Sequence, residues 1–438
     1  MRDNGDAPSA AMECDVAVVG GGPAGIAAAT RAAEHGARVI VLDQGLAPGG
    51  QIWRHHDPRH LPRAARRWME RCERSGARWL SEAAVVDGAT ERGLAVVRRD
   101  AAFRVYPRAV VIATGARELF LPFPGWTLPN VMGMGGAQAL IKGGADVSGR
   151  RVVVAGSGPL VLPVAAAMAR GGATLVAVAE QAPLRSVAGF ATALWAHPSK
   201  LAQAAHYRGA FARRSYHCGT WVLRADGDGR VQQVTLTDGR GRRRVEACDL
   251  LCCSFGLVPN TELATLLGCT VVDGTVRTDS VQRTSVPNVF CAGEPTGVGG
   301  EQAALVEGEI AGLAASGHED AARAVSLQRA RDDWKRFSTR LASAFHPREE
   351  LLTLADGDTI VCRCEDVRYH RLNAAWSVRQ AKMYTRIGMG PCQGAVCGAA
   401  CQVLFGWERG TVRPPLGAPR VEAWMETSAQ ERPSSATA

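Results

Sequence analysis

From Asp15 to Gln44 the chain carries an apolar run, DVAVV, then a glycine cluster, GGGPAG, then an alanine-rich stretch, then a second apolar run, RVIVLDQ. A short apolar run bounded by turn residues reads as a strand buried on both faces, and the alanine stretch as a helix laid on it. The same order returns at 151–180, RVVVAGSGPLVLPVAAAMARGGATLVAVAE. Other apolar runs lead into glycine or proline: AVVIATGA at 109–116, DLLCCSF at 249–255 and SVPNVFCAGE at 285–294. Each predicts a buried strand with a tight turn behind it. GLAVVRRD and FRVYPRAVVIATG predict the strands of an inserted meander. Cys252 and Cys253 are adjacent, so on one strand they face opposite sides as small core residues. The uncharged run Val152 to Ala169 is long enough to resemble a membrane span, but Gly156, Gly158, Pro159 and Pro163 suit a strand, a turn and a helix start instead.

The glycine spacing gives the first repeat a chemistry. Gly20, Gly22 and Gly25 form GxGxxG: the first permits the turn, the second lets backbone approach a pyrophosphate, and the third lets helix pack on strand. Phosphates would sit at the positive helix N-terminus, and Asp43, closing the second strand, can accept hydrogen bonds from a ribose. In the second repeat Gly156 and Gly158 hold register, and Glu180 ends the strand. Val161, however, stands where a glycine or alanine belongs. A branched side chain there is expected to push the helix off the strand and disturb a nicotinamide cofactor's seat, leaving the fold to hold another nucleotide or none.

Composition narrows the partners. The 438 residues allow two or three domains, and the net charge of +9 comes almost wholly from arginine, 47 against 4 lysines. Arg242, Arg243 and Arg244 make the one local cluster, and without interleaved aromatics it reads as a solvated strand or turn, not a nucleic-acid patch. The start, MRDNGDAPSAAMECD, lacks the apolar region of a secretory signal, which leads to the expectation of a cytoplasmic protein. Thirteen cysteines in that compartment do not read as a disulfide framework. Arg54, His55, His56 and His60 follow the first fold and are read as lining that region or solvent. The stretch 190–221, rich in aromatics and histidines, suits either a partner-facing surface or an amphipathic helix pair covering the second sheet.

The remaining chemistry is at the end. Cys362 and Cys364 form CxC, and after 27 intervening residues Cys392 and Cys397 follow, four thiolates in two local pairs able to surround one metal centre. Structural zinc and a [2Fe-2S] cluster both accept four thiolates. Pro391 is expected to start a helix with Cys392 in its first turn. Cys401, one turn beyond Cys397, reads as a core thiol. No CxxC pair precedes residue 390, so that arrangement of the paired thiols that disulfide reduction needs is missing.

PGGQIW at 48–53, AVVIATGA, GLVPNTEL at 256–263 and SVPNVFCAGE occur in an order that resembles the two-dinucleotide-domain flavoproteins including thioredoxin reductase. That resemblance implies FAD in the first fold, held by Gly20, Gly22, Pro23, Ala24, Gly25, Asp43, Gln44, Gly50, Gln51, Thr114, Gly115, Gly293 and Glu294. Glu294 stands where Asp is usual and would bond the ribityl chain. The helix of GVGGEQAALVEGEIAG would open toward the flavin pyrimidine. CRCE at 362–365, Lys382, Thr385-Arg386 and GMGPCQGAVC at 388–397 resemble the bacterioferritin-associated-ferredoxin-like [2Fe-2S] domain of flavin dehydrogenase subunits, implying Cys362, Cys364, Cys392 and Cys397 as ligands.

Over nearly its whole length the arrangement resembles the alpha-type component of heteromeric amino-acid dehydrogenases: opine oxidase, D-hydroxyproline dehydrogenase and hydrogen cyanide synthase. The implied fold is α/β, with two Rossmann-like domains of the pyridine-nucleotide-disulfide-oxidoreductase type and a small C-terminal helical [2Fe-2S] domain. Expected boundaries are 13–123 with 256–318 for FAD, 124–255 for the second fold, 319–354 for a helical linker, 355–425 for the cluster domain and 426–438 for a disordered tail. The implied function is electron transfer through FAD and the cluster. No catalytic residue of its own is expected, and substrate oxidation falls to a sarcosine- or glycine-oxidase-like FAD-dependent beta subunit. Some relatives add an interface FMN or a small [2Fe-2S] gamma subunit. Transfer to a respiratory acceptor would bring the protein to the inner membrane's periphery. A self-contained NAD(P)H-dependent reductase is the alternative.

Overall fold

The structure, a computed structural model, describes residues 11–55, 61–89, 93–99, 101–212, 216–408 and 412–429. Its chain forms two compact units, Met1–Arg117 with Pro259–Ser338 and Thr411–Ala438, and Glu118–Val258 with Thr339–Gly410.

In the first unit a seven-stranded sheet runs in the order Arg78–Leu80, Val39–Leu42, Ala11–Val19, Ala101–Ile112, Gly93–Arg98 and Ala83–Ala89, with Val289–Cys291 also pairing with Ala101–Ile112. Ala11–Val19 is central and pairs in parallel on both sides, Val16 opposite Val39 and opposite Ala109. Val16, Ala17 and Val18 are fully buried, as a strand covered on both faces requires. The helix Pro23–Glu34 starts on a proline, whose fixed φ suits a first helical position, and lays Ile26, Ala27, Ala28 and Ala29 in the core. Burying Ile26 alone contributes roughly 1.5–3 kcal/mol. The expected meander is present: Gly93–Arg98 pairs antiparallel with both neighbours, Leu94 opposite Val105 and Val97 opposite Ala84.

In the second unit a five-stranded parallel sheet has the order Tyr216–Cys218, Thr174–Glu180, Arg151–Gly156, Leu250–Ser254 and Val131–Gly133, joined by a three-stranded antiparallel sheet. The membrane-length apolar run resolves into the strand Arg151–Gly156 and the helix Val161–Arg170, and no described helix is long and apolar enough to cross a membrane. Cys252 packs among Val152, Val154 and Met134, whereas Cys253 packs among Val153 and Ala155 on the other face. Burial pushes both thiols up. Arg243 and Arg244 lie exposed on the edge strand Arg243–Ala247, with Arg242 paired to Asp238 and Arg244 to Glu246. The helices Leu184–Ala193 and Pro198–Gly209 bury no residue fully, and residues 213–215 of that stretch lie outside the described residues.

Residues 339–410 do not separate as a small helical unit; they group with the second sheet. The reason is shared burial. Leu351, Leu354, Ala399 and Ala400 enter the core that holds Trp126, Trp221 and Phe255, and the Trp126 indole donates to the Ile360 carbonyl at 2.5 Å. Within the segment a smaller core of Val361, Cys362, Val367, Ala381, Ile387, Cys397, Cys401 and Trp407 is built around a two-strand hairpin and the helices Val378–Thr385 and Cys397–Phe405. The former helix is opened by a reciprocal cap between Ser377 and Gln380. Of the expected tail, residues to Ala429 continue the helix Val421–Ala429, and 430–438 lie outside the described residues.

Candidate functional site

At the first glycine turn three glycines do three different things. A Cβ on Gly20 (φ +110°) would stand 2.2 Å from the Ala113 carbonyl oxygen, and one on Gly25 would stand 1.9 Å from the Gly20 carbonyl oxygen. Gly22, half-exposed, has nothing within 4 Å of the place its Cβ would occupy. The turn is therefore closed on its strand side and open on its outer side, where backbone N–H groups at a helix start meet an anion. Gly50 closes one flank, since a Cβ there would be 2.9 Å from the Gly22 Cα, and Gly293 another, at 2.9 Å from the Ala24 Cβ. Thr114 and Gly115 are fixed beside it by Asn260: Thr114 Oγ1 donates to the Asn260 carbonyl at 2.7 Å, and Asn260 Nδ2 donates to the Thr114 carbonyl at 2.9 Å. Pro23 and Ala24 open the helix, while Gln44 and Gln51 are exposed at the rim.

Two buried carboxylates face this region incompletely bonded. Asp43 Oδ1 accepts from the Gly45 N–H at 3.3 Å, whereas its buried Oδ2 has no partner. Burial pushes its pKa up against the backbone N–H groups of Gly45 and Gly21. Glu294 Oε1 accepts from the Gly300 N–H at 3.0 Å, its Oε2 is buried without a partner, and burial pushes it up to about 7. Gln302 Oε1, at the start of the helix Glu301–Ala315, is buried and unpartnered as well. An unbonded buried oxygen costs about 1–3 kcal/mol. Unmet oxygens on Asp43, Glu294 and Gln302 fit a ligand carrying hydroxyl and N–H donors, as a flavin dinucleotide does. Asp43 would take its ribose, Glu294 its ribityl chain and the first turn its pyrophosphate.

Glu307 and Asn260 were missed from the sequence. Half-buried Glu307 accepts from the Gly293 N–H at 2.8 Å and from Thr296 Oγ1 at 2.7 Å, holding the loop that presents Glu294. Its helix carries Glu301, Glu307 and Glu309, so no local signal in the sequence singles Glu307 out. Asn260 lies within the quoted GLVPNTEL, a stretch whose place in the chain order says nothing of its contacts. His55 Nδ1 lies 2.9 Å from the Trp53 carbonyl oxygen, and His56 and His60 lie outside the described residues.

At the second turn Val161 stands at the helix start, fully buried among Val152, Val154 and Val164, whereas the first helix begins two places ahead of Gly25. Glu180 is satisfied within the protein: the N–H groups of Gly158 and Ala182 donate to it at 2.8 and 2.9 Å, and the Tyr216 hydroxyl at 3.4 Å. Burial still pushes Glu180 up to about 7.

The four terminal cysteines stand as two pairs drawn from separate segments, Cys362 with Cys397 and Cys364 with Cys392. The Cys397 thiol donates to Cys362, as do the N–H groups of Gly388, Glu365 and Cys364, which holds Cys362 below the usual thiol range. Cys364 accepts from the Cys392 N–H. Among the described residues no group of three or more His, Cys, Asp and Glu side chains converges as a single metal site. The expected helix at Pro391 is absent: Gln393 (φ 50°) and Gly394 (φ 77°) have the wrong hand for one, so the helix starts at Cys397 and Cys392 lies on a turn. Cys401 is a core thiol, pushed up to about 12 by burial.

A duplicated parallel nucleotide fold whose first turn carries unmet buried carboxylates defines an oxidoreductase with an FAD-binding fold. Residues 14–309 match the family described as pyridine nucleotide-disulphide oxidoreductase, and the chain belongs to that family. It is 30% identical to the A component of opine oxidase from Rhizobium meliloti, over 93% of this chain and 85% of that one. It is likewise 30% identical to the HcnB component of hydrogen cyanide synthase from Pseudomonas aeruginosa, over 88% and 91%. Among solved structures, L-proline dehydrogenase from P. horikoshii shares the fold at 18% identity, with a TM-score of 0.64 over 95% of this chain and 80% of that one.

Proposed function

We propose that the chain is the flavin- and iron-sulfur-bearing electron-transfer subunit of a heteromeric dehydrogenase oxidising the C–N bond of an amino acid, imino acid or opine. The substrate would be oxidised in a partner flavoprotein subunit resembling sarcosine or glycine oxidase. FAD when bound supplies two-electron hydride uptake, and a [2Fe-2S] centre supplies one-electron release. This chain's residues would bind and orient them: Asp43, Glu294 and the first turn the flavin, and Cys362, Cys364, Cys392 and Cys397 the cluster.

The cysteine arrangement carries the reading. Cys362 with Cys364 and Cys392 with Cys397 bring four thiols from two short segments, in the spacing that resembles a [2Fe-2S] domain, and backbone N–H groups beside Cys362 would stabilise charge on sulfur. Similarity to the A component of an opine oxidase through both the flavin-type fold and this segment supports the association. No CxxC pair precedes residue 390, within the two nucleotide folds where disulfide reduction would need one. The retained second fold supports a self-contained NAD(P)H reductase as second choice. Interface FMN, a respiratory acceptor and a gamma subunit belong to the first reading as further partners.

Purification under exclusion of oxygen should give one flavin and two irons with sulfide per chain. Cys392→Ser should abolish the iron-sulfur visible shoulder while flavin content is kept. Iron-free protein holding zinc would sink the cluster, and flavin lost with the shoulder would sink the assignment of the two groups to separate sites.

A further inference from the structure

The outer face of the second glycine turn is covered by the chain itself. Ser157 Oγ, at the position equivalent to Gly21, donates to the Phe345 carbonyl at 3.0 Å. A Cβ on Gly158, the counterpart of Gly22, would meet the Phe345 side chain at 3.9 Å, so the ring stands over the turn's outer side. Gln181, the counterpart of exposed Gln44, is fully buried: its Nε2 donates to the His346 carbonyl at 3.1 Å, and its Oε1 accepts from the Arg348 N–H at 3.2 Å. The Phe345 ring meets Phe190 edge-on at 5.4 Å, and the Arg348 guanidinium lies over Trp221 at 4.6 Å. Glu180, the acid that would take a ribose, already has both oxygens bonded inside the protein.

We propose that this turn is an intramolecular docking site whose occupant is residues 345–348, so that the second nucleotide fold anchors the cysteine-bearing segment and does not take up NADH or NADPH. The contacts have the polarity such a role needs. Side chains that line a dinucleotide seat in this kind of fold here bond backbone groups of a peptide, and each buried polar atom of Ser157, Glu180 and Gln181 finds a partner without a ligand. Three residues beyond Arg348, Leu351 enters the core shared with Trp126, Ala399 and Ala400, so the strap and the start of the cysteine segment are seated by one continuous surface. A dinucleotide could enter only by displacing Phe345 and breaking the bonds of Ser157 and Gln181.

The test uses the full chain. Calorimetric titration with NADH and with NADPH to about 1 mM should give no saturable heat. Hydrogen exchange on the same protein should find the amides of 345–348 protected, and unchanged by either nucleotide. Ser157→Ala combined with Gln181→Ala should raise the rate of proteolytic cleavage within 339–356 about tenfold, because loss of two buried hydrogen bonds raises the open population by that order. Saturable binding of either nucleotide to wild type would overturn the proposal. So would exchange at 345–348 as fast as in an unstructured peptide, a result that decides the matter even if the double variant fails to fold.

Discussion

The two glycine turns have the same strand, turn, helix and terminal acid, and differ in what their polar atoms lack. At the first, Gly22 is open, Gln44 is exposed and Asp43 Oδ2 is buried without a partner. At the second, Gly158 and Gln181 are buried and Glu180 is bonded on both oxygens. At the first turn Asp43 leaves a buried oxygen for a ligand to meet, whereas at the second turn Ser157, Glu180 and Gln181 are all bonded within the protein. A buried oxygen without a partner in that unit, Glu118 Oε1, lies beside Gly133 and Gly135 instead. The deficit is the better guide to function than the glycine spacing, which the two turns nearly share.

The comparison breaks most sharply by exchanging the third position. Gly25→Val places a Cβ where the Gly20 carbonyl oxygen lies at 1.9 Å, and it should cost about 3 kcal/mol or more in urea unfolding and release the flavin. Val161→Gly, removing a fully buried side chain, should cost about 2–4 kcal/mol yet confer no NADH binding. Binding gained by that variant would mean that the valine, not the strap, had closed the second site.

Exchanging the acids is a milder test. Asp43→Ala should weaken flavin binding about 10- to 100-fold, the loss of a hydrogen bond to a charged group, as read by fluorescence titration of apoprotein. Glu180→Gln should leave flavin affinity where it was.

The smallest effect is on pH. Burial raises Glu180 from an ordinary 4.5 to about 7, so the folded chain holds that proton more tightly than the unfolded one. Its contribution is complete below about pH 4.5 and is lost as pH rises through about 7, a change bounded at about 3–4 kcal/mol. Thermal unfolding of Glu180→Gln should therefore fall less between pH 4.5 and 7.5 than that of wild type. An equal fall in both would place the titration on another group, Glu294 first.

What could be read from the sequence was whatever short-range spacing dictates. Gly20, Gly22, Gly25 and Asp43 sit on one strand–turn–helix–strand unit, and Cys362 with Cys364 on one hairpin, so local geometry already brings each set together. The opposite faces of Cys252 and Cys253 follow from strand period alone. What could not be read depends on long-range contact. Ser157 and Phe345 are 188 residues apart, and the strap has neither period nor motif. The helix start at Val161, two places later than in the first repeat, is likewise set by the packed fold and not by the glycine spacing. The helix expected at Pro391 yields to Gln393 and Gly394, whose left-handed backbone no proline signal announces. Residues 339–410 lose their independence to four apolar side chains that reach the second unit's core.

The central claim is that reducing equivalents do not enter this chain through its second fold. Anaerobic mixing of the purified, flavin-loaded protein with excess NADH, and separately with NADPH, tests it directly in a stopped-flow spectrophotometer. The oxidised flavin band should persist with either nucleotide; rapid bleaching by either would contradict that claim and restore the self-contained reductase.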